Sequence, residues 1–442
     1  MSETYSVYIH RKIFNNYAIY YSNGRYIENS DTMPDSAFDK FECSRLTNKK
    51  INEKMTEGIT LKEILKDYSE SIQTWRDEIL NCNSLQKKFD FFNTFIKDDG
   101  IRFQNNNDSN ILRFFKLYSS KIHKASEWEP VTWDEYLWYE KTYNGGLMKC
   151  KVGDYNCLGY DFKMSYPTIL ASEITIFDKQ RDFYFPVSEG KSKYIFKLPK
   201  KPEMGLYRVK IECDDEDFLF IFNLKCDTNV YTHYDIEFCN EVKKQFKIKI
   251  KLILDGEPNA LIYEGWKNRI NGKHVFKPWY DRLTELKEEL PNNGLIKMLS
   301  SSIWGYLSKI NKRYYGDEEL DEKEIEFDYH NDKDLKYLCL KEKDNKSGGV
   351  DYQLIKKTKP YSNNYRLKPF ITSFQRILIA EIAIEIGIKK IVRINTDNIT
   401  FDRKLLSRKD LLVLANISPT FIEEEKTTGN FHIENINKFT PI

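Results

Sequence analysis

The stretch KIVRINTDNITF, residues 390–401, decides the fold of this 442-residue chain. An apolar run ends at Ile394, polar residues follow at 395–397, and an alternating run resumes at Ile399. Two strand-like runs joined by a short polar turn predict a β-hairpin. Asp397 then stands at the tip of this hairpin.

A second aspartate, Asp161, stands far upstream, at the end of the apolar run Cys157 to Tyr160. The run predicts a buried strand, followed by a helix at Tyr166 to Leu170. Single aspartates after strands are mostly turn or cap residues. A pair of them can also hold magnesium, which prefers carboxylate oxygens. The two aspartates therefore predict a metal site only if the surrounding residues support one.

Three short motifs in a fixed order surround these aspartates. They are DFKMSYP (161–167), KMLSSSIWG (297–305) and NTDN (395–398). In order and internal spacing they resemble the first palm motif, the fingers motif and the Asp-Thr-Asp-Ser motif of family B DNA polymerases. A single motif match is only a hypothesis, but several matches in the expected order support one another.

Two further motifs resemble the protein-primed subgroup of that family. YNGG (143–146) is similar to its Tyr-x-Gly-Gly signature, and FITSFQR (370–376) is similar to the helix start before its catalytic hairpin. The resemblance covers residues 143–402. It implies a template-directed DNA polymerase of a phage, virus or linear plasmid.

The resemblance also implies a role for each matching residue. Asp161, Asp397 and the backbone carbonyl of Phe162 would hold two Mg²⁺ ions, with Mn²⁺ as an alternative. The residues expected to bind the deoxynucleotide are Phe162, Tyr166, Lys297, Ser301, Trp304 and Gly305. The residues expected to contact DNA are Tyr143, Gly145, Gly146, Arg376 and Thr396.

Individual tasks follow from the same comparison. Tyr166 would pack beneath the incoming sugar and exclude a 2′-hydroxyl, and Lys297 would meet the triphosphate as a point charge. The alternatives are that Tyr166 is a core tyrosine and Lys297 a solvated helix lysine; the spacing of Lys297 from Gly305 argues against the second. The Tyr143 to Gly146 segment could equally be an ordinary glycine-rich loop.

The sequence departs from the family pattern at several positions. Ser301 replaces an asparagine, Trp304 replaces a tyrosine, and Asn395 replaces the first aspartate of the hairpin motif. The Asn395 change removes a carboxylate beside the expected metals. No Asp-x-Glu pair precedes residue 140, so we expect no 3′–5′ exonuclease. The chain after Asp397 is short for a complete thumb.

The expected fold class is α+β: a right-hand polymerase palm, formed by an antiparallel sheet with helices, together with fingers helices. The predicted segments are 1–140, an N-terminal α/β or mostly helical region; 141–179, template loop and first palm motif; 180–280, a strand-rich insertion resembling the terminal-protein-contacting region; 281–316, fingers; 317–368, acidic insertion and linker; and 369–442, palm hairpin and truncated thumb. A tight turn at Asn23-Gly24 predicts a hairpin, and helices are predicted from Thr60 to Leu80 and from Ser373 to Ile386, the second closed by Gly387. The acidic stretch at 317–334 is expected to be an exposed loop or insertion.

Bulk composition limits the location and the partners. The net charge is only +2, so nucleic-acid binding would depend on local basic clusters such as Lys191 to Lys201. That cluster could equally be a solvated face. Cysteines form no Cys-x-x-Cys pair, and neither a leader peptide nor an apolar run of membrane length is recognisable. We therefore expect a cytoplasmic protein with no membrane contact.

Three functions remain open from the sequence. The first is a DNA polymerase whose partners are primer-template DNA and deoxynucleoside triphosphates, with a terminal protein or a separate subunit supplying the thumb or an exonuclease. The second is a catalytically weak or inactive polymerase-like subunit that binds DNA or terminal protein, which Asn395 favours. The third is a reverse transcriptase or an RNA-synthesising palm enzyme, which Tyr166 argues against.

Overall fold

The computed structural model describes most of the second half of the chain and parts of the first. The described residues are 8–13, 16–21, 26–30, 107–119, 128–142, 145–225, 227–289, 294–330, 332, 334–344, 349–361, 366–417, 421–423 and 425–442. The chain divides into two compact units. One comprises Met1–Tyr118 with Asp281–Ser300, and the other comprises Ser119–Tyr280 with Ser301–Ile442.

The described elements are numbered in chain order. The strands are β1 Tyr8–Ile13, β2 Asn16–Tyr21, β3 Tyr26–Ser30, β4 Met148–Cys150, β5 Gly153–Phe162, β6 Ile174–Ile176, β7 Lys179–Arg181, β8 Tyr184–Pro186, β9 Lys191–Lys193, β10 Gly205–Glu212, β11 Val230–Thr232, β12 Lys249–Leu252, β13 Ala260–Ile262, β14 Arg269–Asn271, β15 Lys312–Gly316, β16 Phe327–Asp328, β17 Tyr337–Asp344, β18 Val350–Lys356, β19 Ile391–Asn395, β20 Asn398–Asp402, β21 Phe421–Glu423, β22 Gly429–Asn435 and β23 Lys438–Pro441. The α-helices are α1 Asn107–Tyr118, α2 Trp133–Glu140, α3 Ser165–Leu170, α4 Glu216–Ile221, α5 His233–Phe246, α6 Lys273–Glu289, α7 Gly294–Leu307, α8 Asp317–Glu322, α9 Lys368–Ile386 and α10 Arg408–Ala415. Short 3₁₀ turns lie at Trp266–Asn268, Ile388–Lys390, Arg403–Leu405 and Glu425–Thr427.

In the first unit, β1, β2 and β3 form an antiparallel sheet. The pairing of Tyr20 with Tyr26 confirms the hairpin predicted from Asn23-Gly24. The helix predicted from Thr60 to Leu80 lies outside the described residues.

A seven-stranded sheet is the centre of the second unit. Its strand order is β23-β22-β5-β20-β19-β4, and β21 also pairs with β5. All of its pairings are antiparallel. The predicted hairpin is confirmed as β19 and β20, with Asn395 opposite Asn398. The predicted strand ending at Phe162 is confirmed as β5, which lies directly beside that hairpin.

The helix before the hairpin is longer than predicted. We expected it to start at Ser373, whereas α9 begins at Lys368 and carries a proline in its first turn. Proline is tolerated there because its missing N–H would have no helical partner in any case. The predicted end is confirmed, since the C-cap Gly387 has φ 109°, a backbone region that favours glycine.

The C-terminal segment extends the central sheet. Residues after the hairpin, in the segment predicted as palm hairpin and truncated thumb, add β21, β22 and β23 to it. The reason is an apolar face on this segment. Ile433 is buried with Cys157 and Val392, and Phe431 and Phe439 pack against them. This burial favours pairing within the sheet over a separate lobe.

The insertion between residues 180 and 280 is only partly strand-rich. Strand β10 pairs with β11, β12 and β13, and β13 pairs with β9. Helices α4 and α5 interrupt the strands, which the alternating pattern did not predict. Helix α5 begins with a capping box in which Thr232 and Asp235 bond reciprocally to each other's backbone.

The acidic stretch at 317–334, expected as an exposed loop or insertion, contains regular secondary structure. It forms the helix α8, and its strand β16 belongs to a four-stranded sheet of order β15-β18-β17-β16. Buried Leu320, Cys339 and Leu354 form a small core there, so this segment folds onto apolar neighbours. Among the residues that the structure describes, no helix is long and apolar enough to cross a membrane.

Stability should depend on pH through His233, the first residue of α5. Burial lowers its pKa from 6.5 to about 3, although Asp235 opposes this shift and Arg269 adds to it. The folded protein therefore keeps the ring neutral, while the unfolded chain binds a proton below its ordinary pKa. As the pH is lowered from 6.5 to about 3, we therefore expect the free energy of unfolding to fall by about 1.4 kcal/mol per pH unit. Urea titrations at several pH values in this range would measure how the free energy of unfolding depends on pH. In His233→Gln, the part of that dependence due to the imidazole ring should be absent.

Candidate functional site

The two aspartates singled out in the sequence lie at the ends of adjacent strands. Asp161 in β5 is opposite Asn398, the residue after Asp397. The Phe162 N–H donates to the backbone carbonyl of Asp397 at 3.0 Å. Both aspartates are partly exposed. The backbones of two aspartates that are distant in sequence thus lie side by side, at one end of the central strands β5 and β20.

The tip of the hairpin is strained and anchored. Thr396 has φ 61°, which is unusual for a β-branched residue. Its N–H donates to the carbonyl of Leu147 at 2.9 Å, just after the double-glycine loop. Strain of this kind persists only where neighbouring contacts fix the conformation. The loop at 145–147 therefore sets the position of the residue next to Asp397.

Gly146 is the point of closest approach between this loop and the hairpin. A Cβ at this position would lie 2.7 Å from Cγ2, 2.8 Å from Oγ1 and 3.0 Å from Cα of Thr396. Because Cα is backbone, a side chain at Gly146 would displace the hairpin tip as well as the Thr396 side chain. The predicted contact of Gly146 with DNA is untested, and the contact that the structure shows is with the hairpin.

We expect Gly146→Ala to slow primer extension, the reaction that the motif resemblance implies, more than it lowers the melting temperature. A displacement of about 1 Å at a reacting centre can reduce a rate about a hundredfold. The matched control is Gly316→Ala, where the new Cβ would meet only Asp351 Oδ1 at an ordinary 3.6 Å. Rates and melting temperatures of both variants would check this. Equal rates would contradict it.

Arg376, predicted to contact DNA, has a different place in the structure. It is 6% exposed, and its guanidinium donates to the Gly145 carbonyl at 2.8 Å and to Asp235 Oδ1 at 3.3 Å. Asp235 in turn caps α5, and Thr232 Oγ1 lies 2.7 Å from Ser373 Oγ of α9. These bonds position the glycine loop, and the predicted contact of Arg376 with DNA is untested. The periodicity of the sequence did not predict these hydrogen-bond partners of Arg376.

Tyr166 and Trp304, both predicted at the nucleotide, are brought together. Their ring centroids are 4.9 Å apart with an angle of 35° between the rings. The pKa of Tyr166 is raised to about 12, mainly by burial and then by the charge of Asp397, while Arg376 lowers it. The sequence motifs therefore identified side chains that are neighbours in the fold.

The remaining predicted residues are placed as follows. Ser301 and Gly305 are exposed on α7, and a Cβ at Gly305 would meet no heavy atom of the described residues within 4 Å. Lys297 is exposed on the same helix, in the part assigned to the other compact unit. Tyr143 lies outside the described residues. The nucleotide-binding roles of Lys297, Ser301 and Gly305 stay predictions.

Sequence reasoning missed a buried polar network behind the hairpin. The Asn398 side chain accepts from Arg393 Nη1 at 3.0 Å and from Thr400 Oγ1 at 3.1 Å, and donates to Thr427 Oγ1 at 3.4 Å. All four of these residues are buried. One signal was available: Arg393 is a charge inside an otherwise apolar strand, and buried charges need partners. The network links β19 and β20 to the 3₁₀ turn Glu425–Thr427.

The donor set at the two aspartates fits magnesium. It offers two carboxylates and the nearby Phe162 carbonyl, all hard oxygens, and magnesium takes one or two protein carboxylates with substrate phosphates supplying further ligands. In the described ranges, no group of three or more His, Cys, Asp or Glu side chains forms a metal site. A metal here would thus be held jointly by the protein and a phosphate-bearing substrate.

No family model matches the chain, and neither does any curated protein. Among solved structures, the chain is similar to phi29 DNA polymerase complexed with primer-template DNA and incoming nucleotide substrates, with 14% identity and a TM-score of 0.46 over 77% of this chain and 55% of that one. It is also similar to the same polymerase complexed with single-stranded DNA, with 14% identity and a TM-score of 0.43 over 72% and 50%. The chain spans about half the length of these structures. A likeness at this identity and TM-score does not establish a family.

Proposed function

We propose that this chain is a template-directed DNA polymerase that adds deoxynucleotides to a primer. One observation carries the proposal: the β5–β20 pairing places Asp161 beside the turn that holds Asp397, and each aspartate belongs to its own polymerase-like motif. In the reaction, the primer hydroxyl attacks the α-phosphorus and pyrophosphate leaves.

Bound magnesium would polarise the phosphoryl oxygens and stabilise the attacking and leaving oxygens. The chain's own contribution is to hold the ligands still. Asp161 is fixed by the ladder of β5, and Asp397 by the Phe162 N–H bond to its backbone carbonyl. Both restraints act on backbone atoms, and the two carboxylates are the proposed metal ligands.

Tyr166 is proposed to select deoxynucleotides. Its ring is in contact with Trp304 and partly buried, so it cannot swing away freely from a 2′-hydroxyl. Protein priming by a terminal protein follows from the motif resemblance and is part of the same proposal.

Primer extension tests the proposal. The protein, a primed template and Mg²⁺ would be combined with deoxynucleotides or ribonucleotides, beside Asp161→Asn. Asp154→Asn is the matched control, because Asp154 lies at the other end of the same strand and is 68% exposed at its side chain. We expect extension with deoxynucleotides that only Asp161→Asn abolishes. No extension by the wild type would overturn the proposal.

A second candidate, a polymerase-like subunit without catalysis, is favoured by one residue. Asn395 ends β19 opposite Met148 and Asn398, where the related motif has an aspartate. If the site is active but weakened by this residue, Asn395→Asp should lower the Mg²⁺ concentration needed for half-maximal extension, because it adds a carboxylate beside the metals. Magnesium titrations of both forms would measure this. Inactivity of both forms with intact DNA binding would favour the second candidate.

A further inference from the structure

The insertion presents two large aromatic rings to solvent. Phe196 is 81% exposed and Trp266 is 72% exposed. Aromatic residues of this size normally bury most of their surface, so two rings at this exposure indicate a surface that something covers. Phe196 follows β9 and Trp266 follows β13. Because these two strands pair antiparallel, the rings lie beyond opposite ends of the pair, and a ligand that covers both would run along it.

Both rings project from anchored backbone. Ile195, beside Phe196, exchanges two hydrogen bonds with the Asn259 side chain, at 2.8 and 2.9 Å. The turn after Trp266 is held by the Asn268 side chain, which donates to the Glu264 carbonyl at 2.6 Å, and by the Asn268 carbonyl, which accepts from Val187 at 3.0 Å. Little conformational freedom of the backbone would be lost when a ligand stacks on these rings.

The two segments that carry the rings are basic. Residues 191–201 and 264–269, here called the β9–β13 surface, contain seven cations and one carboxylate. The carboxylate, Glu264, is paired with Lys193. The Arg269 guanidinium lies 3.6 Å from the centre of the Trp266 ring. Lysines exposed on this surface are Lys191, Lys197, Lys200, Lys201 and Lys267.

We propose that the β9–β13 surface binds single-stranded DNA, with unpaired bases stacking on Phe196 and Trp266 and lysines contacting the phosphates. Aromatic rings within a basic groove are the usual means of binding single strands without sequence preference. A duplex hides its base faces, and so would leave both rings exposed. An apolar protein partner would not need this excess of cations. The choice of DNA over RNA rests on the proposed function.

Fluorescence anisotropy of a labelled oligo(dT) tests the proposal with the full chain in EDTA, so that binding is measured without catalysis. We expect Trp266→Ala and Phe196→Ala each to weaken binding at least about fivefold, the effect of losing one stacked base. Trp266→Phe should retain most of the affinity, because a ring remains. Tyr314→Ala is the matched control, since Tyr314 is an exposed aromatic residue of a different sheet.

Salt dependence gives a second readout. Lys267→Ala should reduce the slope of log affinity against log salt by roughly one phosphate contact. Absence of oligo(dT) binding by the wild type, or equal affinities for wild type, Trp266→Ala and Phe196→Ala, would overturn the proposal. Stronger binding of oligo(rU) than of oligo(dT) would overturn the choice of DNA. Primer extension, measured separately, decides the polymerase proposal whatever the outcome here.

Discussion

Asp397→Asn should reduce primer extension by about a thousandfold, because it removes the metal ligand proposed at this position. A metal ligand contributes several kcal/mol in a transition state, and each tenfold in rate is about 1.4 kcal/mol. The fold should survive. The hydrogen bond that anchors this residue runs from Phe162 to the Asp397 backbone carbonyl, which the substitution leaves in place. Asparagine is also accepted in turns. The loss should therefore fall on the rate of incorporation.

Asp402→Asn is the matched control for this variant. Asp402 ends β20, the strand that follows the turn with Asp397. Its side chain accepts a hydrogen bond from the Lys404 N–H at 3.1 Å. Asparagine can make that bond too. Single-turnover extension rates and melting temperatures would be compared for both variants. A rate for Asp397→Asn equal to that of the control would remove Asp397 from the catalytic site.

Arg366→Met should destabilise the second unit by about 3–5 kcal/mol, the usual effect of removing one partner from a buried ion pair. Arg366 and Glu135 have side chains that are 0% exposed and are joined by bonds of 2.6 and 2.8 Å. Arg366 also donates to the carbonyls of Glu129 and Pro130, and Glu135 accepts from Tyr263. Without the guanidinium, the Glu135 carboxylate would remain buried without its charge partner.

A surface pair provides the comparison. Arg313 and Glu319 lie 2.6 Å apart, but the Arg313 side chain is 62% exposed. Arg313→Met should therefore change the free energy of unfolding by less than about 1 kcal/mol. Urea unfolding would measure both variants. The double variant Arg366→Met/Glu135→Leu should recover part of the loss, because no charge is then left buried. A single Arg366→Met variant as stable as Arg313→Met would contradict the prediction.

Local patterns predicted the elements that carry the site. The apolar runs around Asp161 and Asp397 predicted a strand and a hairpin, and both are present at nearly the expected residues. This was possible because strand alternation and turn chemistry are local properties of the chain. Helix α5 was missed, since its aromatic and β-branched residues resemble those of strands and only its packing in the fold decides otherwise.

The sequence by itself determined the two aspartates, their motifs and the strands that bear them. Only the tertiary structure decided what holds them in place. It paired β5 with β20, brought Tyr166 against Trp304, set Gly146 against Thr396, and buried the Arg376 guanidinium between the glycine loop and α5. These contacts join residues that are distant along the chain. Because their free energy comes from burial and complementary shape, residue spacing alone could not reveal them.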